Sequence, residues 1–165
     1  MNTRDISTVL TTLFGELVDG APEHEAYVLN RGDAGLLRSL DRLNARQASS
    51  AVSGGGSIAA HVDHLRYGLS LMNRWSAGEN PFDAADWGVS WRKTTVSDAE
   101  WAQLRSDLRT EAQRWKDALR VPREVSLVEL NGVVGSVVHL AYHLGAVRQI
   151  DRTARGPEDP HLHRG

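Results

Sequence analysis

The stretch that decides the reading of this chain is Val137-Val138-His139-Leu140-Ala141-Tyr142-His143-Leu144-Gly145. It sits inside a run, Asn131 to Val147, that holds no Asp, Glu, Lys or Arg but does hold His139, His143, Asn131, Ser136 and three glycines. A bilayer span wants about 20 mostly apolar residues. The run therefore predicts a buried helix carrying polar function, not a membrane segment. On a helical wheel His143 falls in line with Ser136 and Ile150, and His139 lies beside them. Side chains four apart share one helix face, so the two imidazoles point inward or at a groove rim. Imidazoles at this spacing can chelate one divalent metal. Burying them without partners would cost roughly 1–3 kcal/mol per unsatisfied group. A shared metal removes that cost, and so would two separate hydrogen bonds.

Working outward, helix-period patterns dominate the chain. The last helix is expected over Leu127 to Arg155. Ahead of it, Ser97-Asp98-Ala99-Glu100 reads as a capping box that opens a helix running to Leu119, which Val121-Pro122 breaks. An irregular stretch, Gly78 to Thr95, carries Trp87 and Trp91. Before it, Ser57 to Trp75 has the stripe Ile58, Val62, Leu65, Leu69 and Met72. A loop, Ser49 to Gly56, separates this from Gly32 to Asn44, where Asp33 is the expected cap. The first helix is expected over Ile6 to Leu17, ending at Asp19-Gly20-Ala21-Pro22. Strand signal is too scant to build a sheet. The expected fold is all-α, an antiparallel four-helix bundle in one domain over 1–155, with a loose tail from 156 to 165.

The 165 residues include no cysteine, and the net charge is −2. Thiolate metal sites, disulfide scaffolds and cysteine nucleophiles are excluded. The charge balance argues against nucleic acid as a partner, and the expected location is cytoplasmic. Gly54-Gly55-Gly56 lacks the Gly-Lys-Ser/Thr ending of a phosphate loop, and no serine sits in a nucleophile elbow.

A second histidine pair, His61 and His64, lies at i,i+3 on the Ser57–Trp75 segment. Periodicity places His61 nearer the centre of the apolar stripe and His64 toward its edge. One histidine from this pair with His139 and His143 gives three nitrogen ligands, which is the pattern of a site that keeps an open position.

These residues resemble the DinB/YfiT-like superfamily of metal-dependent enzymes. The matches are Ser57-Ile58-Ala59-Ala60-His61-Val62-Asp63-His64 and His139-Leu140-Ala141-Tyr142-His143-Leu144-Gly145, in the family's order and on the expected helices. That family carries its ligand histidine seven residues after such a Ser, which picks His64 and makes His61 a pocket or supporting residue. Relatives often have Arg directly after the second histidine and Gln three after it. Here those places hold Leu144 and Ala146, and Arg148 and Gln149 stand further on.

The resemblance implies a divalent metal, commonly zinc or nickel, held by His64, His139 and His143. It implies an enzyme that activates water or a low-molecular-weight thiol, such as mycothiol or bacillithiol, for transfer or hydrolysis of a small molecule. It also implies a homodimer. His61, Tyr67 and Arg148 are the expected supporting groups, with Asp63 and Asp151 as further candidates, and Trp87 and Trp91 a wall over the pocket or a plug at the bundle end. The alternative is a non-catalytic bundle with a structural metal or a ligand- or partner-binding role. Because imidazole coordinates only when neutral, metal affinity is expected to fall as pH drops through about 6–7.

Overall fold

The computed structural model describes residues 2–52 and 54–157. The part of the expected tail from residue 158 onward lies outside the described residues. The chain is all-helical, with no strand among the described residues. Six α-helices follow one another: α1 Thr3–Asp19, α2 Gly35–Asp41, α3 Ala45–Ala48, α4 Ile58–Ser76, α5 Asp98–Leu119 and α6 Leu127–Ile150. Two 3₁₀ turns, Val89–Trp91 and Arg152–Ala154, complete the set.

The helices start where side chains can accept from the free N–H groups of a first turn. Asn2 and Asp5 form a capping box on α1, Ser97 and Glu100 the expected one on α5, and Ser126 and Glu129 another on α6. The Ser57 hydroxyl accepts from the Ala60 N–H to open α4. Gly20, at φ 108°, closes α1 in a conformation that a side chain would strain.

The Gly32–Asn44 expectation is corrected. Helix α2 is shorter, and Asp33 does not cap it in the usual way. Its carboxylate accepts from the Gly35 N–H at 2.8 Å and from both terminal nitrogens of Arg148. The chain after α2 turns, and Asn44 with Gln47 caps the separate short helix α3. The last helix also ends early, at Ile150. Asp151 leaves helical geometry, and its carboxylate accepts from the Thr153 N–H to start the 3₁₀ turn. Pro157 is docked, its carbonyl accepting from Asn30 Nδ2 at 2.9 Å.

The four long helices close a ring of neighbours: α1 packs on α5 and α6, and α4 packs on α5 and α6. Their apolar stripes meet in one core, with Phe14 and Leu17, Ile58 and Leu65, Leu108 and Trp115, and Leu140 and Leu144 buried. Burying each such side chain contributes about 1.5–3 kcal/mol. The connection from α1 to α2 is held by a buried acid. Glu16 accepts from the N–H groups of Tyr27, Val28 and Leu29 at 2.9, 2.7 and 2.6 Å. Helix α6 is long and apolar enough to cross a membrane by length and composition, and one third of its most apolar stretch is buried. Its inner face packs on α1 and α4, while Val134, Val138 and Tyr142 are exposed.

Candidate metal centre

Helices α4 and α6 bring four imidazoles together. His64 Nε2 lies 3.1 Å from His139 Nε2, and His139 Nε2 lies 2.9 Å from His143 Nε2. One nitrogen from each of His64, His139 and His143 falls within 4.8 Å of the others. His61 joins from the side, its Nδ1 at 2.8 Å from His143 Nδ1. His64 and His143 are 7% and 1% exposed, so water does not solvate their rings.

The proton inventory of this cluster does not close. The Ser90 hydroxyl donates to the Trp87 carbonyl at 2.7 Å, which uses its only proton. The 2.8 Å contact between His64 Nδ1 and Ser90 Oγ is therefore a donation by His64. A neutral ring carries one N–H, so His64 Nε2 presents a bare lone pair to His139. For His143 there are two cases. If its Nδ1–H donates to His61, its Nε2 is also bare, and two lone pairs face His139 Nε2, whose single proton satisfies one. If instead its Nε2–H fills the His139 lone pair, His64 Nε2 and His139 Nε2 meet bare. Either way one close nitrogen–nitrogen contact has no proton between its atoms.

A cation resolves this, and the surroundings exclude the proton as that cation near neutral pH. Burial lowers the pKa of all four imidazoles. His64 is brought to about 4 by burial first, then by the neighbouring His139 and His61. His143 is brought to about 3 by burial, then by His139, His61 and His64. The set stays neutral, which is the ligating form. Nitrogens about 2.0–2.1 Å from a common ion, as zinc–imidazole bonds require, stand about 3.3 Å apart in a tetrahedral arrangement. The two separations to His139, 3.1 and 2.9 Å, lie slightly below that value, and the third pair is within 4.8 Å. The donor set fits a borderline divalent metal.

The irregular connection between α4 and α5 covers the cluster. Trp91 stacks on His64, centroids 4.5 Å apart at 28°, and meets His61 edge-on at 5.1 Å. Trp87 tilts against His64 at 5.5 Å. Of the two readings left open by the sequence, the tryptophans thus form a wall over the imidazoles. Beside His64 and His139 a cavity of about 450 Å³ opens between α4 and α6, with Trp87 and Phe82 on its rim side.

The other expected residues divide. His61 touches the cluster directly, as a partner of His143. Tyr67 does not: its hydroxyl accepts from the Asp86 N–H at 3.0 Å and its ring meets Trp87 edge-on, so it braces the covering connection. Arg148 is committed elsewhere. Its guanidinium grips Asp33 in a two-point ion pair and its Nε donates to the Ala154 carbonyl, which ties α6 to the turn ahead of α2 and leaves Arg148 committed away from the site. Asp63 is paired with Arg66 at 2.8 Å. Asp151 accepts from Gln47 and Thr153. No carboxylate hydrogen-bonds to any of the four imidazoles among the described residues.

Ser90 escaped the sequence reading, although it fixes the tautomer of His64. It lies 26 residues from His64 in a stretch without periodicity, and no local signal marks it. Comparisons of the chain with family models, with curated proteins and with solved structures return no match, so the geometry of the imidazoles carries the functional reading.

Proposed function

We propose that this chain is an antiparallel four-helix bundle of the DinB/YfiT-like type and a metal-dependent enzyme of the cytoplasm. His64, His139 and His143 hold a divalent ion, zinc or nickel, and the centre activates water or a low-molecular-weight thiol for transfer to, or hydrolysis of, a small molecule. The closed ring of α1, α5, α4 and α6 supports the bundle. The observation that carries the metal is the convergence of three Nε2 atoms whose lone pairs no neutral tautomer set can satisfy. Bound there, a divalent ion supplies Lewis acidity that brings the pKa of water or a thiol toward neutrality.

The chain's own residues do the rest. Ser90 holds His64 in the Nδ1–H tautomer. His61 orients His143 through its Nδ1. Trp91 shields the cluster from water on one side, and the cavity beside His64 and His139 gives a substrate access on the other. That access favours a catalytic centre over a closed structural one. With no cysteine in the chain, any sulfur nucleophile is a co-substrate.

The test is elemental analysis after zinc and nickel titration. One ion per chain, lost in His139→Ala and His143→Ala and retained when the chain is truncated after Gly156, supports the reading. The truncation removes His161 and His163, which could otherwise collect metal. A metal-free chain whose melting is unchanged in excess zinc refutes it.

A further inference from the structure

We infer that the group a substrate places beside the metal ligands is uncharged and apolar, of aryl or branched-alkyl type, and that Gly68, Gly132 and Gly135 set its size. This rests on the metal reading above and adds the substrate class. The cavity touching His64 and His139 has a volume of about 450 Å³, within the span of about 300–1,000 Å³ typical of small-molecule sites. Its walls are Leu65, Leu69, Met72, Phe82 and Trp87 with the three glycines, and no Asp, Glu, Lys or Arg among the described residues lines it. The one hydroxyl on the wall is spent. Ser136 donates to the Val133 carbonyl at 2.6 Å and accepts from Trp115 Nε1 at 2.9 Å. A charged or sugar-like group seated against these walls gives up part of its hydration and finds no polar partner among them except the imidazoles, and such loss is costly.

Charge begins only further along. A second cavity, of about 820 Å³, shares Met72, Phe82 and Gly132 with the first and carries Glu79, Arg123, Glu124 and Glu129. A substrate with an apolar reacting end and a polar far end matches both. The glycines create the room. A Cβ at Gly132 or Gly135 would meet no atom within 4 Å, so a larger side chain there has open space to occupy. At Gly68 a Cβ would stand 3.5 Å from Trp87 and 3.8 Å from His139 Cε1, directly between the covering ring and a ligand.

The experiment loads the full chain with zinc, counts the metal by elemental analysis, and then measures binding of benzyl mercaptan and of 2-mercaptoethanesulfonate by isothermal calorimetry. Both offer the same thiol, and they differ in the group that must enter the cavity. Benzyl mercaptan is expected to bind at least about tenfold more tightly. Gly132→Leu and Gly135→Leu, substitutions that favour helix, are expected to weaken benzyl mercaptan by a similar factor while the zinc count and the sulfonate affinity hold. Equal affinity for the two thiols, or leucine variants that bind benzyl mercaptan like the parent, overturns the inference and leaves the metal reading standing. A chain that takes up no zinc fails at the elemental count, before any thiol is added, and brings down both.

Discussion

Ser90→Ala removes a single hydroxyl that contacts no expected substrate, and the structure gives it a defined cost. The His64 Nδ1–H then has no acceptor, in a place where His64 is 7% exposed and Ser90 is 2% exposed. An orphaned buried donor costs about 1–3 kcal/mol. The ring can escape that cost by moving its proton to Nε2, but Nε2 is the atom aimed at the metal position. Both outcomes fall on metal affinity. At about 1.4 kcal/mol per tenfold the expected loss is roughly 5- to 150-fold, in line with the roughly 10–100-fold effects of removing a ligand's outer partner.

Competition for zinc between the protein and a chromophoric chelator reads this directly. The control is Asp86→Ala. Asp86 holds the same covering turn by accepting from the N–H groups of Gly88 and Val89, and it does not touch His64. If Ser90→Ala weakens zinc binding and Asp86→Ala does not, the loss comes from the tautomer and not from a loosened turn. Unchanged zinc affinity in Ser90→Ala, or an equal loss in both variants, refutes the proton inventory on which the centre is built.

Acid offers a second test, and it revises the expectation that metal affinity falls through pH 6–7. The folded pKa values of His64 and His143, about 4 and about 3, lie below the unfolded value near 6.5, so the unfolded chain binds more protons and stability rises with pH. The metal-free protein should lose stability from about pH 6.5 down to about pH 4, by about 2 kcal/mol for each of the two histidines at pH 5. Metal should leave with unfolding in that range, not with titration of the folded site. A melting temperature of the metal-free chain that is flat between pH 6.5 and 4.5 contradicts this. In Arg148→Ala the Asp33 carboxylate, 2% exposed, keeps only the Gly35 N–H, and losing one partner of a buried pair costs about 3–5 kcal/mol. Chemical denaturation should register that loss while the zinc affinity of the folded variant is unchanged. Weakened zinc binding in still-folded Arg148→Ala would return the residue to the site.

Helices were legible where an apolar stripe coincides with a capping signal; Ser97 with Glu100 marked the start of α5 to the residue. The pair His139 and His143 was legible from spacing alone, since four residues on a helix fix a shared face. The choice between His61 and His64 was not. A hydrophobic wheel ranks positions by apolar surroundings, and both histidines are nearly equally buried. What separates them is which ring nitrogen reaches His139, and periodicity carries no information about that. Contacts between distant segments left no trace in the sequence. Asp33 looked like a cap because its carboxylate precedes a helix, yet Arg148, 115 residues away, takes both of its oxygens. Ser90 lies in a connection without a repeat, so nothing local told it from filler, whereas the i,i+4 spacing of Trp87 and Trp91 had already marked those two as a wall or a plug.

The imidazole cluster and the cavity lie side by side along one helix–helix seam. On α6, Gly132, Gly135, His139 and His143 fall at successive steps of three or four residues, which is one stripe along the helix. On α4, His64, Gly68 and Met72 do the same. His64 faces His139 and His143, while Met72 and Gly132 share the cavity wall at the other end. The two stripes therefore run in opposite directions, with His64 against His139 and His143 at one end and Met72 beside Gly132 at the other. Such a register explains why a helix as apolar as α6 tolerates glycines in its interior at roughly 1 kcal/mol each relative to alanine. They hold open the room next to the ligands, which larger side chains would close. It also separates two properties on a rigid frame. With the proposed centre, changes at positions 132 and 135 are expected to alter what fits beside the imidazoles, and changes at 64, 139 and 143 to abolish metal binding. A seam that only packed two helices would have filled that space.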